Sequence, residues 1–264
     1  VGENYTALEN AIFECACAGC ESIWITANDN WAPLIKKRVG DYIFDPVWYY
    51  RKYDVNPKDG RKLIPIFVVP HMAKYRGRRD SLGWGILNSA IFAKSTFGHL
   101  SDYATPNMFY AAFVFGAYNP RELISERSNI SSGKRFFLTH SKKSIKDGER
   151  LGFTFSWEDV KKINAHISSV GTGEWKAIGE FVKGDQKAWS KRLPLEERHS
   201  ARKFSLDKVF LPLDLDKANS LEISWFYNIS SWEGYKEFMG SENFLKRPAV
   251  MTSARLPLIG VDDD

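Results

Sequence analysis

The chain has 264 residues, 44% of them hydrophobic and 14% aromatic, which is enough for one large core or two modest ones and argues against disorder. A formal net charge of +5 suits an anionic partner, small molecule or nucleic acid, without choosing between them. No 18-residue apolar run marks a transmembrane helix and no basic-then-apolar leader opens the chain, so no membrane partner is expected. Three closely spaced cysteines do not make a disulfide framework, and a reducing cytoplasm is the expected compartment. The sequons at Asn4, Asn129 and Asn228 then read as chance matches.

In chain order, "TALENAIFECACA" (6–18) places Leu8, Ala11, Ile12 and Cys15 at helical spacing, with Thr6 as N-cap and Glu9 three residues on. Gly19 ends that helix and "SIWITAN" reads as a buried strand. "NWAPLIKKRVGDYI" reads as a second helix, with Asn30 as cap and Pro33 in its first turn. The aromatic, charged stretch 44–63 is expected to be a loop, and "IPIFVVP" (64–70) has the pattern of a central parallel strand. "DSLGWGILNSAIFAKSTFG" reads as a helix with Leu82, Ile86, Ala90 and Ala93 on one face, and "NMFYAAFVFGAYNP" as a buried strand. This alternation predicts an α/β domain with a Rossmann-like, mainly parallel sheet flanked by helices, spanning residues 1–264 as one unit.

After residue 130 the character changes. "RFFLTHSKKSIKDGERLGFTF" predicts a hairpin turning at Asp147-Gly148. "SWEDVKKINAHI" reads as a short capped helix, "EWKAIGEFV" as a strand, and the charged stretch 183–203 as a solvated linker or helix. Residues 130–205 thus form an inserted hairpin and helical region. "LEISWFYNISSWEGYKEFMGS" adds one more strand, a serine cap and a helix.

Cys15, Cys17 and Cys20 invite a metal reading, but a structural zinc needs about four N/S ligands and no histidine lies nearby. On a helix Cys17 and Cys20 would share a face and Cys15 would point away. The three are expected to pack as small apolar residues.

The stretch "PHMAKYRGRRDSLGWGILNSA" (70–90) follows a buried strand and opens a helix, the place where open α/β sheets bind ligands. Lys74, Arg76, Arg78 and Arg79 are four cations within six positions. Ser81, Gly83 and Gly85 follow at the helix start, where free N–H groups and the helix dipole favour an anion. Two glycines in a first turn cost helix stability, which points to close approach of a ligand or a neighbour.

The order of elements resembles the sugar-phosphate nucleotidyltransferases (nucleotide-sugar pyrophosphorylases), whose fold is a Rossmann-like sheet of the glycosyltransferase-A type. "YTALENAIFECACAGCESIWITAND" looks like the family's second segment and puts Asn28 and Asp29 on the nucleotide side. "RRDSLGWGILNSA" is similar to the family's "G-T-A-x-A" stretch, which implies that Asp80, Ser81, Leu82, Gly83, Trp84 and Gly85 receive the nucleotide. "FYAAFVFGAYNP" corresponds to a strand ending in Gly-Asp, and "EISWFYNISSWEGYKEFM" to "D-I-x-T-P-E-D-Y", each with an Asp that binds magnesium in the family. The resemblance covers residues 1–125 and 205–240 and implies Gly116 and Tyr118 on the sugar side. This chain has Ala117 and Asn228 where those acids stand, so Asn228 is the metal candidate and Mg2+ the implied cofactor. The family's first strand and its Gly-x-Gly-Thr-Arg loop have no counterpart and would lie before Val1.

The implied reaction is attack of a sugar 1-phosphate on the α-phosphorus of a nucleoside triphosphate, giving a nucleotide sugar and pyrophosphate. Lys74, Arg76, Arg78 and Arg79 are the candidates for charge neutralisation. A homo-oligomer is compatible with the sequence. Three other readings stay open. Asp214 and Asp216 match the D-x-D of metal-dependent glycosyltransferases, and the missing acids suit a non-catalytic nucleotide- or sugar-nucleotide-binding protein. Basic and aromatic residues interleave in "WYYRKY" and "HMAKYRGRR", although no nucleic-acid motif accompanies them.

Overall fold

A computed structural model describes residues 6–49, 63–70, 81–100, 105–178, 205–216, 218–246 and 252–255. Helix α1 (Ala7–Ala18) starts where the capping box was expected. Thr6 Oγ1 accepts the Glu9 N–H at 3.3 Å, and Glu9 Oε2 accepts the Thr6 N–H at 2.7 Å. It ends at Gly19, whose φ of +89° lets the N–H groups of Gly19 and Cys20 turn back onto the carbonyls of Ala16 and Cys15. That turn delivers the chain into β1 (Ile23–Ala27).

Helix α2 (Ala32–Val39) carries Pro33 in its first turn, but its N-cap is Trp31 rather than Asn30. Asn28 supplies the turn instead: its carbonyl accepts the N–H groups of Trp31 and Ala32, and its side chain accepts that of Asn30. Strand β2 (Tyr42–Phe44) and the short α3 (Pro46–Tyr49) follow. Strand β3 (Leu63–Pro70) is the centre of the first sheet, parallel to β1 on one side and antiparallel to β2 on the other. Helix α4 (Leu82–Leu100) then runs back over this sheet.

The second sheet is built from β4 (Met108–Ala111), β6 (Phe136–Thr139), β7 (Phe153–Ser156) and β8 (Asn219–Glu222), in the order β4-β7-β6-β8. Between β4 and β6 lie β5 (Gly116–Ala117) and α5 (Arg127–Ser131), and β5 pairs with β9 (Tyr227–Asn228). Helices α6 (Trp157–Ile178), α7 (Leu206–Val209) and α8 (Trp232–Met239) complete the described elements.

The protein is thus α/β, but its sheets are mixed. Among the described strands β1/β3 and β6/β8 are parallel, while β2/β3, β4/β7, β6/β7 and β5/β9 are antiparallel. The expected hairpin is present as β6 and β7, joined through a 3-10 turn in which Ser144 caps Asp147 and Gly148 takes a φ of +80°. A local return of this kind needs no crossover helix and gives antiparallel pairing. The strand expected at "EWKAIGEFV" does not form over Glu174–Ile178, which continue α6. That helix is already anchored through Val160, Ile163 and Ile167, spaced for one buried face, so it runs on through Gly171 and Gly173 at about 1 kcal/mol each.

Two cores result. One packs Ile12, Ala16 and Cys17 of α1 against Ile23, Ile43 and Ile66 of the first sheet. The other packs Trp84 and Leu87 of α4 with Phe153, Phe155, Ile163 and Phe210. Each large apolar side chain buried this way contributes about 1.5–3 kcal/mol. No helix among the described residues is long and apolar enough to cross a membrane.

Candidate functional site

A cavity of about 620 Å³ lies between α1 and α4. Ile23, Trp24, Ile25 and Thr26 of β1 border it in succession, and so do Phe109, Tyr110 and Ala111 of β4. Neighbouring strand residues point to opposite faces, so a cavity reached by consecutive residues lies beside the strand edge rather than over one face. Among the described strands, both are the terminal strands of their sheets. The cavity is therefore walled by two strand edges and covered above and below by two helices.

The directions of these elements place its open end. Thr26 Oγ1, near the end of β1, donates to the Gly85 carbonyl at 2.9 Å and also bonds Ser89 Oγ, so α4 begins at the carboxyl end of β1. Further along α4, Lys94 Nζ donates to Asn107 Oδ1 at 3.2 Å, beside the start of β4. β4 therefore begins at the amino end of β1 and runs the same way. The carboxyl ends of β1, β3 and β4 share one side, with the amino end of α4 among them, the arrangement in which open α/β sheets receive ligands.

The expected nucleotide residues divide at this point. Ser81, Leu82 and Gly85 border the cavity. Ser81 is the N-cap of α4, its Oγ accepting the Trp84 N–H at 3.3 Å. A Cβ on Gly85 would lie 3.7 Å from the Thr26 methyl, an ordinary contact, so packing does not demand glycine there. At Gly83 packing does demand it, because a Cβ would meet the Val209 side chain at 2.9 Å. Trp84 is buried in the second core and cannot stack on a ligand in the cavity. Asn28 and Asp29 are exposed in the turn after β1, at the same end of the sheet but not in the cavity wall. Lys74, Arg76, Arg78, Arg79 and Asp80 lie outside the described residues, as does the stretch 183–203.

Gly116 and Tyr118 border a separate cavity of about 20 Å³, room for one water and not for a sugar. A Cβ on Gly116 would stand 2.3 Å from the Arg150 carbonyl, so glycine is required there by close backbone approach. Asn228 Oδ1 accepts from Arg150 Nη1 at 2.7 Å, from Ser230 N at 3.2 Å and from Ser230 Oγ at 2.7 Å. An oxygen facing three donors, one of them cationic, does not suit a metal ion. No group of three His, Cys, Asp or Glu among the described residues could hold one, so the described residues do not fit the implied Mg2+. Asp214 and Asp216 serve a turn: the Asp214 carboxylate accepts the Asp216 N–H, and its carbonyl accepts from Arg135.

The cysteines are free, with Cys15 and Cys17 buried. The thiols that meet are those of Cys15 and Cys20, because the left-handed turn at Gly19 folds Cys20 back beside the last turn of α1. Burial pushes the Cys17 thiol well up.

One buried group has no mark in the sequence. Glu14 faces inward from α1, and Tyr110 Oη donates to its Oε1 at 2.9 Å, with Tyr118 as a second phenol partner. Burial raises its pKa from 4.5 to about 8, and the two phenols oppose the rise without cancelling it. Space for this cluster depends on Gly152, where a Cβ would lie 2.0 Å from Tyr110 Oη. The helical pattern of "ENAIFECACA" contains the position but gives no sign that a carboxyl group is buried there.

No family model matches this chain, and comparison with curated proteins and with solved structures gives no match.

Proposed function

We propose that the cavity binds a nucleoside triphosphate and that the chain is a nucleotidyltransferase-like protein, passing a nucleotidyl group to a sugar 1-phosphate. In this reading the fold is a single Rossmann-like unit of the nucleotide-diphospho-sugar transferase type. The observation that carries it is the amino end of α4 opening into a 620 Å³ cavity at the shared carboxyl ends of β1, β3 and β4. That volume is within the range of small-molecule sites. A helix start offers unpaired N–H groups and the positive end of its dipole to a phosphate. The strand edges offer main-chain donors and acceptors for the rim of a base, and the apolar wall around Ile25 and Ile86 excludes water.

The reaction is an in-line displacement. A phosphate oxygen of the sugar 1-phosphate bonds to the α-phosphorus, the bond from that phosphorus to the bridging oxygen breaks, and pyrophosphate leaves with the electron pair. Such chemistry needs positioning and charge neutralisation rather than a covalent nucleophile. Lys74, Arg76, Arg78 and Arg79, just ahead of Ser81 in the chain, are suited to neutralise the phosphates.

Incubation with each of the four ribonucleoside triphosphates, Mg2+ and a panel of sugar 1-phosphates should release pyrophosphate from at least one pair. A second reading, nucleotide binding without turnover, is favoured by one observation: the Asn228 oxygen is held by Arg150 where a metal-binding acid would be needed. Triphosphate binding without pyrophosphate release selects that reading, and absence of both defeats the proposal.

A further inference from the structure

Among the described side chains lining the large cavity, Arg150 is the one that carries a charge, and no carboxylate lines it. Its surroundings differ from those of the other partly buried arginines. Arg127 makes two bonds to the Asp45 carboxylate, at 2.9 and 2.7 Å, and Arg135 makes two to Asp159, at 2.6 and 3.2 Å. Arg150 has no ion pair among the described residues. Nη1 donates 2.7 Å to the neutral Asn228 Oδ1, and Nε is buried without a hydrogen-bond partner. Partial burial lowers its pKa, and the neighbouring Glu149 carboxylate opposes the fall without cancelling it.

The guanidinium is also held in place. Its own carbonyl packs against Gly116, and the oxygen it bonds on Asn228 is fixed by the amide and hydroxyl of Ser230. Ser81 and Leu82 border the same cavity at the start of α4, where a helix leaves its first N–H groups without intrahelical partners. A partly buried guanidinium whose Nε is unsatisfied and whose Nη1 meets only a neutral oxygen gains from an arriving anion. The planar fork matches two oxygens of one phosphate group.

We propose that Arg150 is the anion-recognising residue of this cavity, binding one phosphate group of a phosphate ester whose apolar or aromatic body fills the remaining space. Asn228 is a positioning residue that aims the fork. The inference rests on the reading of the cavity as a ligand site, but not on the reaction assigned to it.

The test is calorimetric titration of the 264-residue chain and its Arg150→Gln, Arg150→Lys and Asn228→Ala variants with pyrophosphate, glucose 1-phosphate and the four ribonucleoside triphosphates. Circular dichroism confirms that each variant is folded. Arg150→Gln should weaken at least one of these probes about tenfold or more, and Arg150→Lys, which keeps the charge but not the fork, should weaken it less. Asn228→Ala should give an intermediate loss, which keeps the proposal testable if Arg150→Gln does not fold. Loss confined to triphosphates and pyrophosphate assigns the site to the nucleotide, and loss confined to glucose 1-phosphate assigns it to the sugar substrate. Wild-type affinity in a folded Arg150→Gln variant, or no binding of any probe by the wild type, overturns the proposal. Arg150-dependent binding without pyrophosphate release defeats the nucleotidyltransferase reading alone, whereas undiminished release by Arg150→Gln defeats this inference alone.

Discussion

Glu14→Gln replaces the buried acid of α1 with a neutral isostere that keeps its hydrogen bonds. In the native protein Tyr110 Oη donates to Oε1 at 2.9 Å, and Tyr118 is a second phenol partner of the carboxyl group. A glutamine can accept a phenol O–H through Oε1 and donate to a phenol oxygen through Nε2. Burial holds the glutamate pKa at about 8 against an ordinary 4.5, so between these values the folded state keeps a proton that the unfolded state has lost. The raised pKa therefore favours the fold fully below about pH 4.5. Its contribution falls as pH rises and is gone above about pH 8. The whole span corresponds to on the order of 5 kcal/mol, or about 1.4 kcal/mol for each pH step. The stability of Glu14→Gln minus that of the wild type should rise at about that slope from pH 5 to pH 8 and level off above. Urea unfolding of both proteins at five pH values measures the difference. A difference that does not change with pH would show that Glu14 is already ionised in the folded protein, and the account of a neutral buried acid would be wrong.

The two glycines at the start of α4 should separate packing from binding. Gly83→Ala forces a methyl onto Val209 and should cost about 1–3 kcal/mol in urea unfolding. Gly85→Ala meets only an ordinary contact at Thr26 and should be neutral or up to about 1 kcal/mol more stable, while raising the Kd for a triphosphate by narrowing the cavity. Equal stability losses in both would contradict the division drawn between them.

The local features were legible in the sequence because their causes are local. Thr6 and Glu9 at capping spacing, Gly19 at the helix end and Ser231 before α8 each perform the role their residue type implies. The β6/β7 hairpin was legible for the same reason, since Gly148 sits in the turn that only a left-handed residue completes easily. Strand direction was not legible, because β4 pairs with β7, and β6 pairs with β8 on its other side, pairings made by distant segments. Pattern alone likewise extended the chain as a strand at Glu174–Ile178, where an anchored helix continues.

The candidate site was half legible. The amino end of α4 was identified from Ser81 and its glycines, but Gly83 and Trp84 turned out to serve packing. The dense cations at 74–79 stand out in the sequence but lie outside the described residues, whereas Arg150, in the β6/β7 hairpin, is the charged side chain among the described residues that borders the cavity. Spacing cannot reveal this, because what distinguishes Arg150 is that it forms no ion pair among the described residues. The contrast with Arg127 and Arg135 exists only in three dimensions.

The central claim is that a nucleoside triphosphate enters between β1, β4 and the start of α4. Hydrogen exchange read by mass spectrometry, with and without each triphosphate, tests it most directly. The account predicts slowed exchange at Ile25–Ala27, at Ser81–Ile86 and around Arg150 with at least one triphosphate. Protection confined to other segments, or none with any triphosphate at millimolar concentration, would contradict it.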